Sequence, residues 1–199
     1  MNQKRKGIDI YKIALIGILS AIAYILMFLE FSIPLVPSFI KMDISDLPAL
    51  MGSLAGGPIV GVIIALIKNL LHMTVSTSGF VGELSNFMLN ALFVLPAGIL
   101  YKRHNTKKSA YLGALLGAVL MAVVSVVANY FIVYPVYYNF LPKDTIVAMY
   151  QAILPGVKNI LQCLIVFNMP FTFVKGMISV VITVLIYKRI EPILRFRRK

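Results

Sequence analysis

Thiols are almost absent from this chain. Cys163 is the one cysteine among 199 residues, so no intramolecular disulfide can form and no metal site can be built on thiolates. The two histidines, His72 and His104, make no metal constellation either. Charge is also scarce. Charged residues account for 13% of the chain against 60% hydrophobic, and a mean hydropathy of +0.90 excludes an ordinary soluble domain. No sequence pattern for ATP hydrolysis, phosphoryl transfer or nucleophilic catalysis is found. These absences describe a protein that binds rather than an enzyme, and one with no cofactor.

What the chain has instead is apolar runs. A bilayer core of roughly 30 Å needs about 20 apolar residues at a helical rise of about 1.5 Å. Several such runs follow one another with almost no soluble sequence between them, so residues 1–199 read as one all-α, polytopic membrane domain. The first run, residues 10–30, is too long for a signal peptide and lacks a small-residue cleavage site, so it is expected to stay attached.

A formal net charge of +12 is compatible with a nucleic-acid partner, but the placement of the charges points to lipid. Lys4, Arg5 and Lys6 precede the first run, Lys102, Arg103, Lys107 and Lys108 fill a mid-chain loop, and Lys188, Arg189, Arg195, Arg197, Arg198 and Lys199 close the chain. Basic residues clustered at helix ends are cytoplasmic by the positive-inside rule, with anionic lipid as their neighbour. That rule then disciplines the count. Between two cytoplasmic clusters the number of spans must be even, which predicts spans at about 10–30, 46–56, 58–73, 82–101, 109–133 and 168–187. Gly56, Gly57 and Pro58 supply the break that divides 46–73 in two. The second span, at eleven residues, reaches only about 17 Å and needs shielding by its neighbours. Segments 31–45 and 134–167 are left as outer loops, the second long enough to be a lid.

Polar groups then sort by depth. Lys41, Asp43 and Asp46, Lys68, Asn69 and His72, Glu83 and Asn86, Asn129, and Asn168 and Lys175 all fall toward the outer side. Polar groups inside a membrane helix turn toward a partner or a cavity. Glu83, Asn86 and Asn90 share one helix face, either as interhelical glue or as a pocket wall. Asp46 reads equally as an N-cap or a ligand group, Asp43 as a partner for Lys41, and Lys68 and His72 as supports for the outer loops. Together with Phe39, Phe167, Phe171, Tyr130 and Tyr137, these residues describe a pocket for a flat aromatic ligand taken from outside. In the first span Ala14, Gly17 and Ala21 share a face that serves close helix packing, either within the chain or against another membrane subunit.

KMDISDLPAL (41–50), GGPIVG (56–61), IKNLLH (67–72), NYFIVYP (129–135) and NMPFTFVKG (168–176), taken in order, resemble the riboflavin-specific S components of energy-coupling factor (ECF) vitamin transporters. The resemblance implies a six-helix protein of the cell membrane, with both termini cytoplasmic, that binds riboflavin from outside. It further implies docking through small residues of the first helix onto a transmembrane coupling subunit served by two cytoplasmic ATPases. Ala14, Gly17 and Ala21 occupy that docking position, although Gly17 and Ser20 depart from a strict alanine repeat. Asn129 and Lys175, with Asn86 and Asn168, are expected to read the pyrimidinedione edge and ribityl hydroxyls. Phe39, Met42, Tyr130 and Phe171 are expected to pack the rings, with Asp43 beside them. Two other readings stand. One is an S component for biotin or thiamin, although the absence of Trp weighs against a thiamin-type aromatic cage. The other is a small lipid-headgroup enzyme, which would need acidic or histidine clusters at a cytoplasmic interface.

Overall fold

The fold is that of a computed structural model, which describes residues 10–76 and 79–195, with side chains up to Ile186. Lys4, Arg5, Lys6, Arg197, Arg198 and Lys199 lie outside the described residues, as do the side chains of Lys188, Arg189 and Arg195. In chain order, α1 (Ile10–Phe28) leads into a loop held by a two-residue antiparallel ribbon, β1 (Phe31–Ser32) with β2 (Lys41–Met42). Then come α2 (Asp46–Gly56), α3 (Pro58–His72), α4 (Val81–His104) and α5 (Lys107–Ala128). A π-helical turn, Asn129–Val133, carries α5 into α6 (Tyr134–Tyr137). After α7 (Lys143–Gln151), α8 (Ile160–Cys163) runs through a second π turn, Leu164–Asn168, into α9 (Met169–Arg195).

Five of these helical rods are long and apolar enough to cross a membrane, namely Ile10–Phe28, Pro58–Val75, Val81–His104, Lys107–Tyr137 and Ile160–Ile186. The predicted break at Gly57 holds: its φ of 100° is one that only glycine adopts cheaply, and Pro58 opens α3. Other boundaries differ from the sequence reading. The fourth rod runs on to Tyr137, and the fifth begins at Ile160 rather than 168. Asn159 makes the early start possible, since its side chain accepts the Gln162 N–H at 2.9 Å and caps the helix. Within 134–167, therefore, only part is loop.

Both π turns end two residues before a proline, Pro135 and Pro170. Proline has no N–H and its ring crowds the preceding turn, and a π turn gives the ring room without ending the helix.

Packing sets the depth of the short helix α2. Asp46 accepts a hydrogen bond from Asn90, Ser53 donates to the Val94 carbonyl at 2.7 Å, and a Cβ on Gly98 would lie 2.7 Å from the Cα of Pro58. Helix α2 thus runs beside α4 from Asn90 to Gly98. The first nine residues of α4, about 14 Å of helix, rise above it. That space belongs to the 31–45 segment and to the cavity described below. Helices α4 and α5 touch backbone to backbone, since a Cβ on Gly117 would sit 2.0 Å from the Phe93 carbonyl oxygen.

Two apolar clusters result. One, including Leu50, Ile64, Phe93, Ala118 and Met121, fills the body of the bundle. The other, including Val36, Tyr134, Ile146, Tyr150, Ile160 and Leu164, lies under the 31–45 segment and α7.

Candidate ligand-binding site

Between the two clusters is a cavity of about 200 Å³, lined by Phe39, Lys41, Asn86, Asn129, Tyr134, Tyr137, Asn168, Phe171 and Thr172, among others. Three asparagines from three different rods therefore meet around one space under aromatic cover. Two of them lie in the π turns, where Asn129 opens one and Asn168 closes the other. A π turn adds a residue to the helix and rotates the side chains beyond it, which is why such turns recur at functional sites. Asn86 projects from α4, and its Oδ1 is buried without a hydrogen-bond partner among the described residues. An amide oxygen in that state is an acceptor awaiting a donor.

The wall facing α7 is held by a hydrogen-bond chain. Tyr150 donates to Asn168 Oδ1 at 2.7 Å, the hydroxyls of Tyr134 and Tyr150 are bonded to each other, and Asn168 Nδ2 lies 3.5 Å from the Tyr134 oxygen. Burial, reinforced by the neighbouring Tyr134, pushes the Tyr150 pKa up, so the phenol stays protonated and able to donate. Phe39 stands edge-on to both Tyr137 and Tyr150, with ring centroids 6.4 and 5.9 Å apart.

One helical turn deeper lies a buried charge quartet. Lys68 Nζ bonds Asp46 Oδ1 and Ser45 Oγ, each at 2.7 Å. Lys175 Nζ bonds Asp43 Oδ2 at 2.8 Å and lies 3.5 Å from Asp46 Oδ2. Lys68 is fully buried and Asp46 is 2% exposed, so this mutual pairing keeps the group tolerable in a low-dielectric interior. For Asp43, burial works to raise the carboxyl pKa. The charges of Lys175 and Lys68, with hydrogen bonds from Lys175 and Ser45, outweigh it and hold the group well below the usual carboxylate range. Asn90 and Phe171–Thr172 connect the two layers: Asn90 is four residues on from Asn86, and Lys175 follows Phe171 by four.

The cavity thus brings together Phe39, Asn86, Asn129, Asn168 and Phe171, while other expected site residues stand elsewhere. Tyr130 does not line the cavity. It is 42% exposed and borders a separate cleft with Phe131, Pro135 and Tyr138, since successive side chains of a helical turn point in different directions and Asn129 is the one that lines the cavity. Met42 is buried at 2% exposure, and Asp43 and Lys175 are engaged with each other below the cavity. Lys41 pairs not with Asp43 but with Glu30 at the end of α1. Asp46 makes no N-cap; it is the first residue of α2 and accepts from Lys68 and Asn90. Lys68 braces the 43–46 segment, and His72 bonds Glu83 at 2.9 Å across the α3–α4 connection. Ala14, Gly17 and Ala21 are exposed, and no described residue lies within 4 Å of a Cβ on Gly17, so among the described residues this face is not spent on packing.

Tyr134, Tyr150 and Thr172 are site residues that the sequence reading missed. Tyr150 lies in the 134–167 segment, which the sequence reads as an outer loop. The two prolines, each two residues beyond a π turn, were the signal that could have marked this region.

A polytopic helical bundle whose cavity is lined by three asparagines under aromatic cover has the form of a membrane protein that binds a small ligand. Comparison with known proteins narrows the class. Residues 11–187 match the family model described as "ECF transporter, substrate-specific component". The chain is 34% identical over 181 residues to "Riboflavin transporter RibU" of Staphylococcus aureus, with 90% of each chain covered. It is 32% identical over 186 residues to "Riboflavin transporter FmnP" of Bacillus subtilis, covering 91% of this chain and 92% of that one. A solved structure described as "Structure and mechanism of the S component of a bacterial ECF transporter" superposes with a TM-score of 0.72 at 31% identity, covering 94% of this chain and 98% of the other. The chain belongs to the substrate-specific components of ECF transporters, and it is an integral membrane transport component rather than an enzyme.

Proposed function

We propose that this chain captures riboflavin from outside the cell and delivers it inward when coupled to a transmembrane coupling subunit and a pair of cytoplasmic ATPases. The observation that carries this reading is the convergence of Asn86, Asn129 and Asn168 on one cavity beneath Phe39, Tyr137 and Phe171. An isoalloxazine needs apolar or aromatic faces, and its dione edge presents an N–H donor beside carbonyl and imine acceptors. Asparagine answers both kinds, and the unpartnered Asn86 Oδ1 is placed to accept the N–H. The names of the relatives support riboflavin over biotin or thiamin.

By the positive-inside rule, Lys102, Arg103, Lys107 and Lys108 support a cytoplasmic position for their loop, which puts the cavity, at the opposite end of the bundle, on the outer side. At about 200 Å³ the cavity is below the roughly 300 Å³ usual for ligand pockets, so it has to widen on binding. The 31–45 segment, held by a two-residue ribbon, is the wall best able to move. Ala14, Gly17 and Ala21 supply the docking face for the coupling subunit, and Lys175 with Asp43 sets the floor of the site.

The test is direct. Protein purified in detergent without added ligand is expected to carry a visible flavin band, and the apoprotein to quench added riboflavin fluorescence one-to-one. Asn86→Leu is expected to weaken that affinity about tenfold or more, the cost of one buried hydrogen bond. An absence of both band and quenching overturns the reading.

A further inference from the structure

A second cleft, of about 410 Å³, opens at the basic end of the bundle between the first turns of α5 and the later turns of α9, with Leu54 of α2 behind it. Its inner wall is aliphatic, formed by Leu54, Ala114 and Val180, each no more than 4% exposed. Its rim carries Lys107, Lys108 and Tyr111. The α5 residues of this cleft stop at Ala114, fifteen residues short of Asn129, so the two sites are about 22 Å apart along that helix. The cleft is a different site from the cavity, at the other membrane face.

Its chemistry is divided by depth. Lys107, Lys108 and Tyr111 form the rim at the basic end, where the positive-inside rule puts the cytoplasmic headgroups, and behind them the wall is aliphatic apart from Thr183, whose hydroxyl is spent on the Ser179 carbonyl. A small soluble anion would have no use for that wall. A partner helix is about 10 Å across, and a space of this volume takes only about one turn of it. An alkyl chain under an anionic head matches both parts, and lysines near the headgroup layer favour such a lipid over a zwitterionic one. We propose that this cleft is a binding site for an anionic phospholipid, its phosphate on Lys107 and Lys108 beside Tyr111 and one acyl chain against Leu54, Ala114 and Val180. The bound lipid fills the gap between α5 and α9 on the face opposite the ligand cavity.

Native mass spectrometry of the full chain, equilibrated with equal phosphatidylglycerol and phosphatidylcholine in mild detergent, tests this. One phosphatidylglycerol is expected to be retained about tenfold or more over phosphatidylcholine, the preference that two such lysines support. Lys107→Gln with Lys108→Gln is expected to bring the ratio near unity. Val184→Trp, at a half-exposed wall position, is expected to abolish retention of either lipid. Riboflavin quenching serves as the folding control, since both changes lie far from the cavity. Equal retention of the two lipids by the native chain overturns the proposal. So does a phosphatidylglycerol signal that neither set of changes alters, or a pair of variants that keep their lipid yet fail to assemble with the coupling subunit, which would make the cleft a protein seat.

Discussion

The hydroxyl of Tyr150 donates to Oδ1 of Asn168 across 2.7 Å, and this bond joins the short outer helix α7 to the wall of the ligand cavity. The same phenol is bonded to Tyr134 and stands edge-on to Phe39. A single side chain thus touches the roof, the lid and an asparagine expected to read the ligand.

Tyr150→Phe removes the hydroxyl while keeping the ring. Asn168 Oδ1 and the Tyr134 hydroxyl then lose a partner in a buried setting, at a cost of about 1–3 kcal/mol. Stopped-flow fluorescence should show riboflavin leaving about tenfold faster, with a smaller change in the rate of capture. An unchanged dissociation rate would separate α7 from closure of the site.

The charge quartet should behave as two balanced pairs. Lys68→Met leaves Asp46 buried against Lys175 alone, and breaking a buried pair on one side costs about 3–5 kcal/mol. A large fall in Tm, measured in detergent, is expected. Combining Lys68→Met with Asp46→Asn removes one charge of each sign and should recover most of the loss. If the double variant is no better than the single one, the pairing is not what holds α2 against α3.

Acid should disturb the site late. Asp43 holds its proton less tightly in the folded protein than in the unfolded chain, where a carboxyl titrates near 3.9. A lowered native pKa contributes stability that is complete above the unfolded value and is lost as the pH falls toward the native one. Tm and flavin affinity are therefore expected to stay level from about pH 8 to pH 5 and to decline only below about pH 4. A midpoint between pH 5 and 7 would mean that Asp43 is not paired with Lys175 in solution.

Two glycines should separate folding from coupling. A Cβ at position 117 meets the Phe93 carbonyl, so Gly117→Ala forces α4 and α5 apart and should lower both Tm and flavin binding. A Cβ at position 17 meets nothing, so Gly17→Leu should leave Tm and quenching untouched. Uptake into vesicles containing the complete transporter is where the second variant should fail. Normal uptake by Gly17→Leu would remove the α1 face from the docking surface.

Much of this protein was legible before any coordinates. Long apolar runs must become helices in lipid because no other open structure satisfies the backbone there, so the rods and the Gly57–Pro58 break followed from composition and local chemistry. Asn86, Asn129 and Asn168 stood out for a similar reason, since a polar group in an apolar rod has to face something.

What sequence could not decide was which polar groups pair with one another. Lys41 stood two residues from Asp43, yet it joins Glu30, while Lys175, 132 residues away, takes Asp43. Partners are chosen by the depth at which helices pack, and that depth comes from contacts such as Ser53 with Val94 and Gly98 with Pro58, which no periodicity encodes. That Asn129 lines the cavity while Tyr130 borders a separate cleft was decided in the same way, by how that helix packs against its neighbours. Sequence by itself determined a helical membrane protein with polar groups gathered at one end. The tertiary structure alone decided which of them surround an open space and which neutralise each other, because a buried charge must find its counterpart wherever packing brings one within reach.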